Sequence, residues 1–205
     1  MHTLYSRPGS GGFVVEAALA IAGAPYEVVH VEKASPPAGF EKLSPLRQVP
    51  ALTLPDGRTI TESGAICLLL SETFPDAGLG PAAGSQDRPE FLRWMFFLSS
   101  MLYPTLMRFF FCERSTTDPG GLEAVKEAAV IEADRGFSIM DQALTGRDWL
   151  VGGQRSIADI YLLMLAYWHP IADKPRDEWT NIIRVCEALK RDPLVAELNE
   201  MHRFW

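Results

Sequence analysis

Residues 48–66 read Gln48-Val49-Pro50-Ala51-Leu52-Thr53-Leu54-Pro55-Asp56-Gly57-Arg58-Thr59-Ile60-Thr61-Glu62-Ser63-Gly64-Ala65-Ile66. Ala51 to Leu54 and Thr59-Ile60 flank Pro55-Asp56-Gly57-Arg58, turn formers between two apolar runs, which predicts a hairpin. The residue before a proline is driven toward extended backbone, so Val49-Pro50 marks the start of the first strand. Ser63 is a favoured N-cap type and predicts a helix from there to about Phe74, stopped by Pro75.

Working outward, Leu4-Tyr5 precedes Ser6-Arg7-Pro8-Gly9-Ser10-Gly11-Gly12, a loop dense in turn formers. Phe13 to Ala22 is alanine-rich and free of breakers, a helix ended by Gly23 and Pro25. Tyr26 to Val31 is β-branched and alternating, a strand. With a Pro-rich connection at Ser35-Pro36-Pro37, the order is β-α-β, connection, β-β-α. Residues 76–88 hold Gly78, Gly80, Pro81 and Gly84 and read as a linker. Everything after about Arg88 reads as helical. Glu90 to about Arg114 is one long helix with a kink expected at Pro104. Leu122, Val125, Ala129, Ala133, Phe137, Met140 and Leu144 recur at spacings of three and four, one apolar stripe on a second. Ile157 to Trp168 is apolar nearly all round and should be the buried central helix, with residues 178–191 and 193–202 completing an all-α bundle.

The chain has 205 residues with a formal charge of −7, no basic block and no acidic tail. That excludes a general nucleic-acid or anionic-membrane binder, which needs a basic face to meet phosphates. Cys67, Cys112 and Cys186 are far apart and form no CxxC pair, so reduced thiols in a cytoplasmic protein are expected rather than a disulfide framework or metal site. The start lacks a basic region followed by an apolar run, so no signal peptide is expected. The longest wholly apolar run, Ile160 to Trp168, is far short of the ~20 residues a membrane span needs. Ser156-x-x-Asp159 has the form of a capping box, a structural role.

Three segments in order and register, Gln48-Val49-Pro50-Ala51-Leu52, Thr61-Glu62-Ser63-Gly64-Ala65-Ile66 and Ser156-Ile157-Ala158-Asp159-Ile160-Tyr161-Leu162, resemble the cytosolic glutathione transferases over essentially the whole chain. The resemblance implies an α/β thioredoxin-like domain over residues 1–78 and an all-α helical bundle domain over 88–205. It implies a cytoplasmic homodimer that conjugates the glutathione thiol to a hydrophobic electrophile, a detoxification chemistry. Glutathione-dependent peroxide or dehalogenation reactions, and a non-catalytic glutathione-binding or scaffolding member of the fold, are the alternatives. Glutathione is the co-substrate and no metal is expected. A cis Val49-Pro50 bond would present the Val49 backbone to the cysteinyl part of glutathione. Ser63, at a helix N-terminus, would take the γ-glutamyl carboxylate, and Glu62 would orient it or meet the ammonium.

Such enzymes lower the pKa of the bound thiol, commonly with a hydroxyl near the N-terminus of the first helix. Ser10 is the first candidate here and Ser6 the second, while Tyr5 ends a strand and reads as structure. The nearest resemblance is to bacterial beta-like members, many of which carry a cysteine where this chain comes closest with Gly11. No cysteine precedes Cys67, which argues against mixed-disulfide chemistry and a glutaredoxin-like reductase. Leu98-Ser99-Ser100-Met101-Leu102-Tyr103-Pro104 resembles the beta-like Ser-Ser-Glu-Leu-His stretch. Ser100 would match a polar contact to glutathione, Met101 replaces the acid, and Tyr103 replaces the histidine. Tyr103, Phe110, Tyr167 and Trp168 are candidates for the electrophile pocket, and His169 for a helix C-terminal role or a substrate contact. Lys33, Arg47 and Gln48 are candidates to hold the glycyl carboxylate.

Overall fold

The computed structural model describes residues 1–172 and 174–205. Strand β1 (His2–Ser6) leads through helix α1 (Gly12–Ile21) to β2 (Tyr26–His30), which pairs parallel with β1. A short helix α2 (Phe40–Leu43) lies in the connection. The predicted hairpin forms from β3 (Ala51–Thr53) and β4 (Thr59–Thr61), and β3 runs antiparallel to β1. The sheet order is β2-β1-β3-β4. Helix α3 (Ser63–Thr73) follows directly. His2, Leu4 and Ser6 alternate inward along β1, and the apolar residues of α1 close over them.

The second half is helical: α4 (Arg88–Phe96), α5 (Tyr103–Phe110), α6 (Leu122–Ala143), α7 (Ile157–Tyr167), α8 (Lys174–Glu178), α9 (Thr180–Lys190) and α10 (Pro193–His202). Pro104 does not simply kink the long helix. Residues Phe97–Leu102 form a wider π-helical stretch joining α4 to α5, with Pro104 in the first turn of α5. A proline has no N–H to give and its ring collides with the preceding turn, so the helix accommodates it by widening. Such stretches are frequent at functional sites.

Every residue of α7 from Ile157 to Ala166 is buried. Its capping box forms, with the Asp159 carboxylate accepting from the Ser156 amide and hydroxyl and from the Leu150 amide. His169, just past α7, is buried and spans Asp134 and the Ile171 backbone, a structural position.

One apolar core runs through both halves, joining Leu4, Phe13 and Leu52 to Trp94, Phe137 and Leu163. Each such side chain contributes roughly 1.5–3 kcal/mol on burial. The stretch read as a linker takes part: Leu79 is buried, and its carbonyl accepts from the Ile157 amide. α1 packs on α7 and α10, so the sheet and the helices meet on a fixed seam, with the site along one side of it.

Candidate active site

A cleft of about 390 Å³ opens between the sheet and the α4–α5 helices. Its first wall is the loop leading to β3. Ser44 Oγ donates to the Gln48 carbonyl and accepts from the Gln48 amide, which fixes that loop. The Val49-Pro50 bond is cis. Ladder pairing of β3 begins only at Ala51, and neither the amide nor the carbonyl of Val49 has a partner among the described residues. Val49 therefore offers an unused donor and acceptor to the cleft.

The second wall is the start of α3. Ser63 is the first helical residue rather than the cap; the cap position belongs to Glu62, at φ 68° and ψ 104°. A non-glycine residue held there costs about 1–3 kcal/mol, and such strain collects at ligand clamps. No side chain caps this helix, so its first amides and positive dipole end remain available to an anion. The Ser63 hydroxyl instead hydrogen-bonds the Tyr161 hydroxyl of α7 at 2.7 Å. Gly64 allows close approach of the helical domain, since a Cβ there would lie 2.9 Å from Ser99.

The third wall is the π-helical stretch and Tyr103. Ser100 lines the cleft, with its hydroxyl donating to the Phe96 carbonyl at 2.6 Å. The Tyr103 ring stacks on Tyr161 at 6.4 Å and meets Trp168 edge-on at 5.1 Å. Its hydroxyl reaches across to the start of α1, where a Cβ on Gly11 would lie 2.7 Å from the oxygen. Burial pushes the Tyr103 phenol up to about 12, with Glu62 adding to the rise and Arg7 opposing it.

Gln48, Val49, Pro50, Glu62, Ser63, Ser100 and Tyr103 thus meet in one cleft. The other sequence-derived candidates lie outside its lining. Ser10 Oγ donates to the Arg7 carbonyl at 2.6 Å and accepts from the Gly12 amide at 3.2 Å. Ser6 is buried beneath Gly12 with no partner for its hydroxyl among the described residues. Tyr5 packs on Phe40 at 5.7 Å. The Lys33 ammonium sits 4.7 Å over the Phe111 ring, and Arg114 lies 4.2 Å from the same ring. Phe110 is 48% exposed and meets Phe109 edge-on. Trp168 stands behind Tyr103, and Tyr167 leans on Trp205.

Sequence reasoning missed Tyr161, Leu46 and Phe96 as cleft residues. A phenol in the middle of the apolar run 157–168 was the available signal for Tyr161, because a buried phenol needs a partner. Leu46 and Phe96 carried no such signal. Among the described residues no helix is long and apolar enough to cross a membrane, and no cluster of metal-ligating side chains occurs.

Comparison with known proteins agrees with this geometry along the whole chain. The glutathione S-transferase N-terminal domain model matches residues 4–81 and the C-terminal domain model residues 101–193. The uncharacterized GST-like protein YncG of Escherichia coli is 32% identical over 209 residues, 97% of each chain. The bacterial beta-class glutathione S-transferase of Sphingomonas chungbukensis superposes with a TM-score of 0.84 at 26% identity, covering 99% of this chain and 100% of its own. A sphingomonad glutathione S-transferase complexed with glutathione gives 0.82 at 28% identity, with 98% of both chains covered. With both domains matched in order around a cleft built on a cis-proline loop and an open helix start, the chain belongs to the glutathione S-transferase family.

Proposed function

We propose that the protein is a glutathione transferase, which binds glutathione in this cleft and activates its thiol for attack on a hydrophobic electrophile. The observation that carries the reading is the convergence of the unpaired Val49 backbone and the uncapped α3 N-terminus in one 390 Å³ space. The cysteinyl backbone pairs with Val49 as an added strand would. The γ-glutamyl carboxylate sits on the first amides of α3, and Glu62 meets the ammonium. Gln48 lies beside Val49 for the glycyl end; Lys33, drawn onto Phe111, has less support in that role. The sulfur then points toward the start of α1, where the helix dipole favours a thiolate.

The electrophile seat is the Tyr103 side of the cleft, where Trp168 backs the ring edge-on at 5.1 Å. Flat polarizable rings suit an aromatic or unsaturated electrophile. Leu46 and Phe96, 74% and 57% exposed at the cleft, support a homodimer that covers them. Three buried free cysteines support a reducing, cytoplasmic setting.

The test is calorimetric titration with glutathione, followed by turnover of a chloronitroarene, an organic hydroperoxide and a haloalkane. Saturable binding with turnover of at least one of them is expected. Failure to bind glutathione overturns the reading, and binding without turnover of any favours the non-catalytic alternative.

A further inference from the structure

We propose that the hydrogen bond holding the glutathione sulfur as a thiolate comes from Tyr103 of the helical domain, and not from a serine of the N-terminal loop. The inference rests on glutathione binding in the cleft as described above. Two departures in the sequence meet at one point in space. Residue 11 is a glycine, and the Tyr103 hydroxyl stands 2.7 Å from where its Cβ would be. The volume that a residue-11 side chain would take at the N-terminus of α1 is thus filled by a hydroxyl arriving from α5.

That hydroxyl is free and held in place. It has no hydrogen-bond partner among the described residues, and its residue lines the cleft together with Val49. The ring is fixed by Tyr161 on its face and Trp168 at its edge, so little orientation is left to be lost when sulfur arrives. Burial keeps the phenol protonated across the neutral range, so it acts as a donor and not as a base.

The loop hydroxyls are committed elsewhere. Ser10 has one proton, and it goes to the Arg7 carbonyl at 2.6 Å. Ser6 lies sealed beneath the backbone of α1, where a Cβ on Gly12 would overlap its hydroxyl. Tyr5 is turned toward Phe40 in a separate cluster with Val31 and Ala51.

In the reaction, the thiol proton passes to water at the cleft mouth, and the thiolate accepts the Tyr103 O–H. The sulfur pair forms the new S–C bond, and the leaving group departs with the electron pair of the bond that breaks. Tyr103 remains protonated throughout.

The test follows the ultraviolet absorbance of the thiolate as a function of pH in complexes of glutathione with wild type, Tyr103→Phe and Gly11→Ala. Tyr103→Phe removes only the oxygen. It should bind glutathione within about threefold of wild type, raise the bound thiol's apparent pKa by a unit or more, and lower kcat about 10- to 100-fold at neutral pH, the range for a hydrogen bond to a charged group. Gly11→Ala keeps the tyrosine but crowds its oxygen from an ordinary helical φ of −60°, so it should shift the thiol in the same direction. A Tyr103→Phe or Gly11→Ala complex that titrates like wild type overturns the assignment. So does a Ser10→Ala complex whose thiol pKa rises while that of Tyr103→Phe does not. Failure of wild type to bind glutathione instead removes the functional reading beneath it, and the two failures are distinct.

Discussion

The Ser63 hydroxyl and the Tyr161 hydroxyl lie 2.7 Å apart, a buried hydrogen bond between residues 98 positions apart in the chain. It ties the start of α3, where the γ-glutamyl group is proposed to sit, to the central helix of the other domain. Tyr161→Phe removes the partner and leaves Ser63 free to rotate. We expect a loss of about 1 kcal/mol in unfolding free energy, the usual net value of one hydrogen bond. We also expect a several-fold rise in the glutathione KM with kcat little changed. Urea denaturation and steady-state kinetics at fixed electrophile read the two effects separately.

Glu62 sets stability against binding. Its φ of 68° suits glycine. Glu62→Gly should therefore relieve strain worth about 1–3 kcal/mol, less roughly 1 kcal/mol for the extra freedom of glycine in the unfolded chain. The net expectation is a Tm higher by a few degrees, with glutathione affinity lower by about tenfold. Glu62→Gln keeps the strain and drops the charge. It should lose affinity with no gain in Tm. Equal affinities in all three proteins would remove Glu62 from the site.

Most of the element order was legible because turn chemistry and apolar periodicity are local. Pro55-Asp56-Gly57-Arg58 makes the hairpin turn and the 122–144 stripe makes α6, each from neighbours alone. The lost information is all long-range. Ser63 looked like a cap because its type fits one, but a tyrosine 98 positions away takes its hydroxyl. Ser10 looked like a free donor in a glycine-rich loop, until Arg7 folds back to accept from it. Lys33 is a cation within the first domain and so a candidate for the glycyl carboxylate, whereas Phe111 of the other domain draws it aside. Pro104 announced an irregularity and not its form, since a kink and a π-helical widening answer the same missing amide. That widening brings Ser100 and Tyr103 to the cleft together.

Asp159 gives a pH signature that belongs to folding. It is fully buried, and burial pushes its carboxyl up to about 6, against partial relief from the Leu150 and Ser156 amides and the Ser156 hydroxyl. A raised acid binds its proton more tightly in the folded state. Its contribution is therefore fully present below the unfolded value of 3.8 and is lost as pH rises through about 6. Asp159→Asn cannot titrate. The unfolding free energy of wild type relative to this variant should fall by about 2 kcal/mol between pH 4 and pH 7, measured by urea denaturation. Asp159→Ala leaves the Leu150 and Ser156 amides unpaired in the core. It should cost about 2–5 kcal/mol, with unchanged glutathione affinity in the protein that remains folded.

The end of α10 is held to the first domain by a buried pair, and breaking it should unlock the seam behind the site. His202 Nε2 lies 2.9 Å from Glu16 Oε2 with both side chains buried, and the His202 ring meets Phe13 edge-on at 5.2 Å. Among the described residues His202 Nδ1 has no partner, so Nε2 carries the proton that Glu16 accepts. His202→Ala leaves the buried Glu16 carboxylate with the Tyr26 hydroxyl, at 3.5 Å, as its remaining side-chain partner among the described residues. The expected cost is about 3–5 kcal/mol. Glu16→Gln in that background removes the stranded charge and should recover part of it. A double-mutant cycle read by urea denaturation gives the coupling. A cycle that closes with no interaction energy would show that α10 is held by Phe13, Phe204 and Trp205 packing alone.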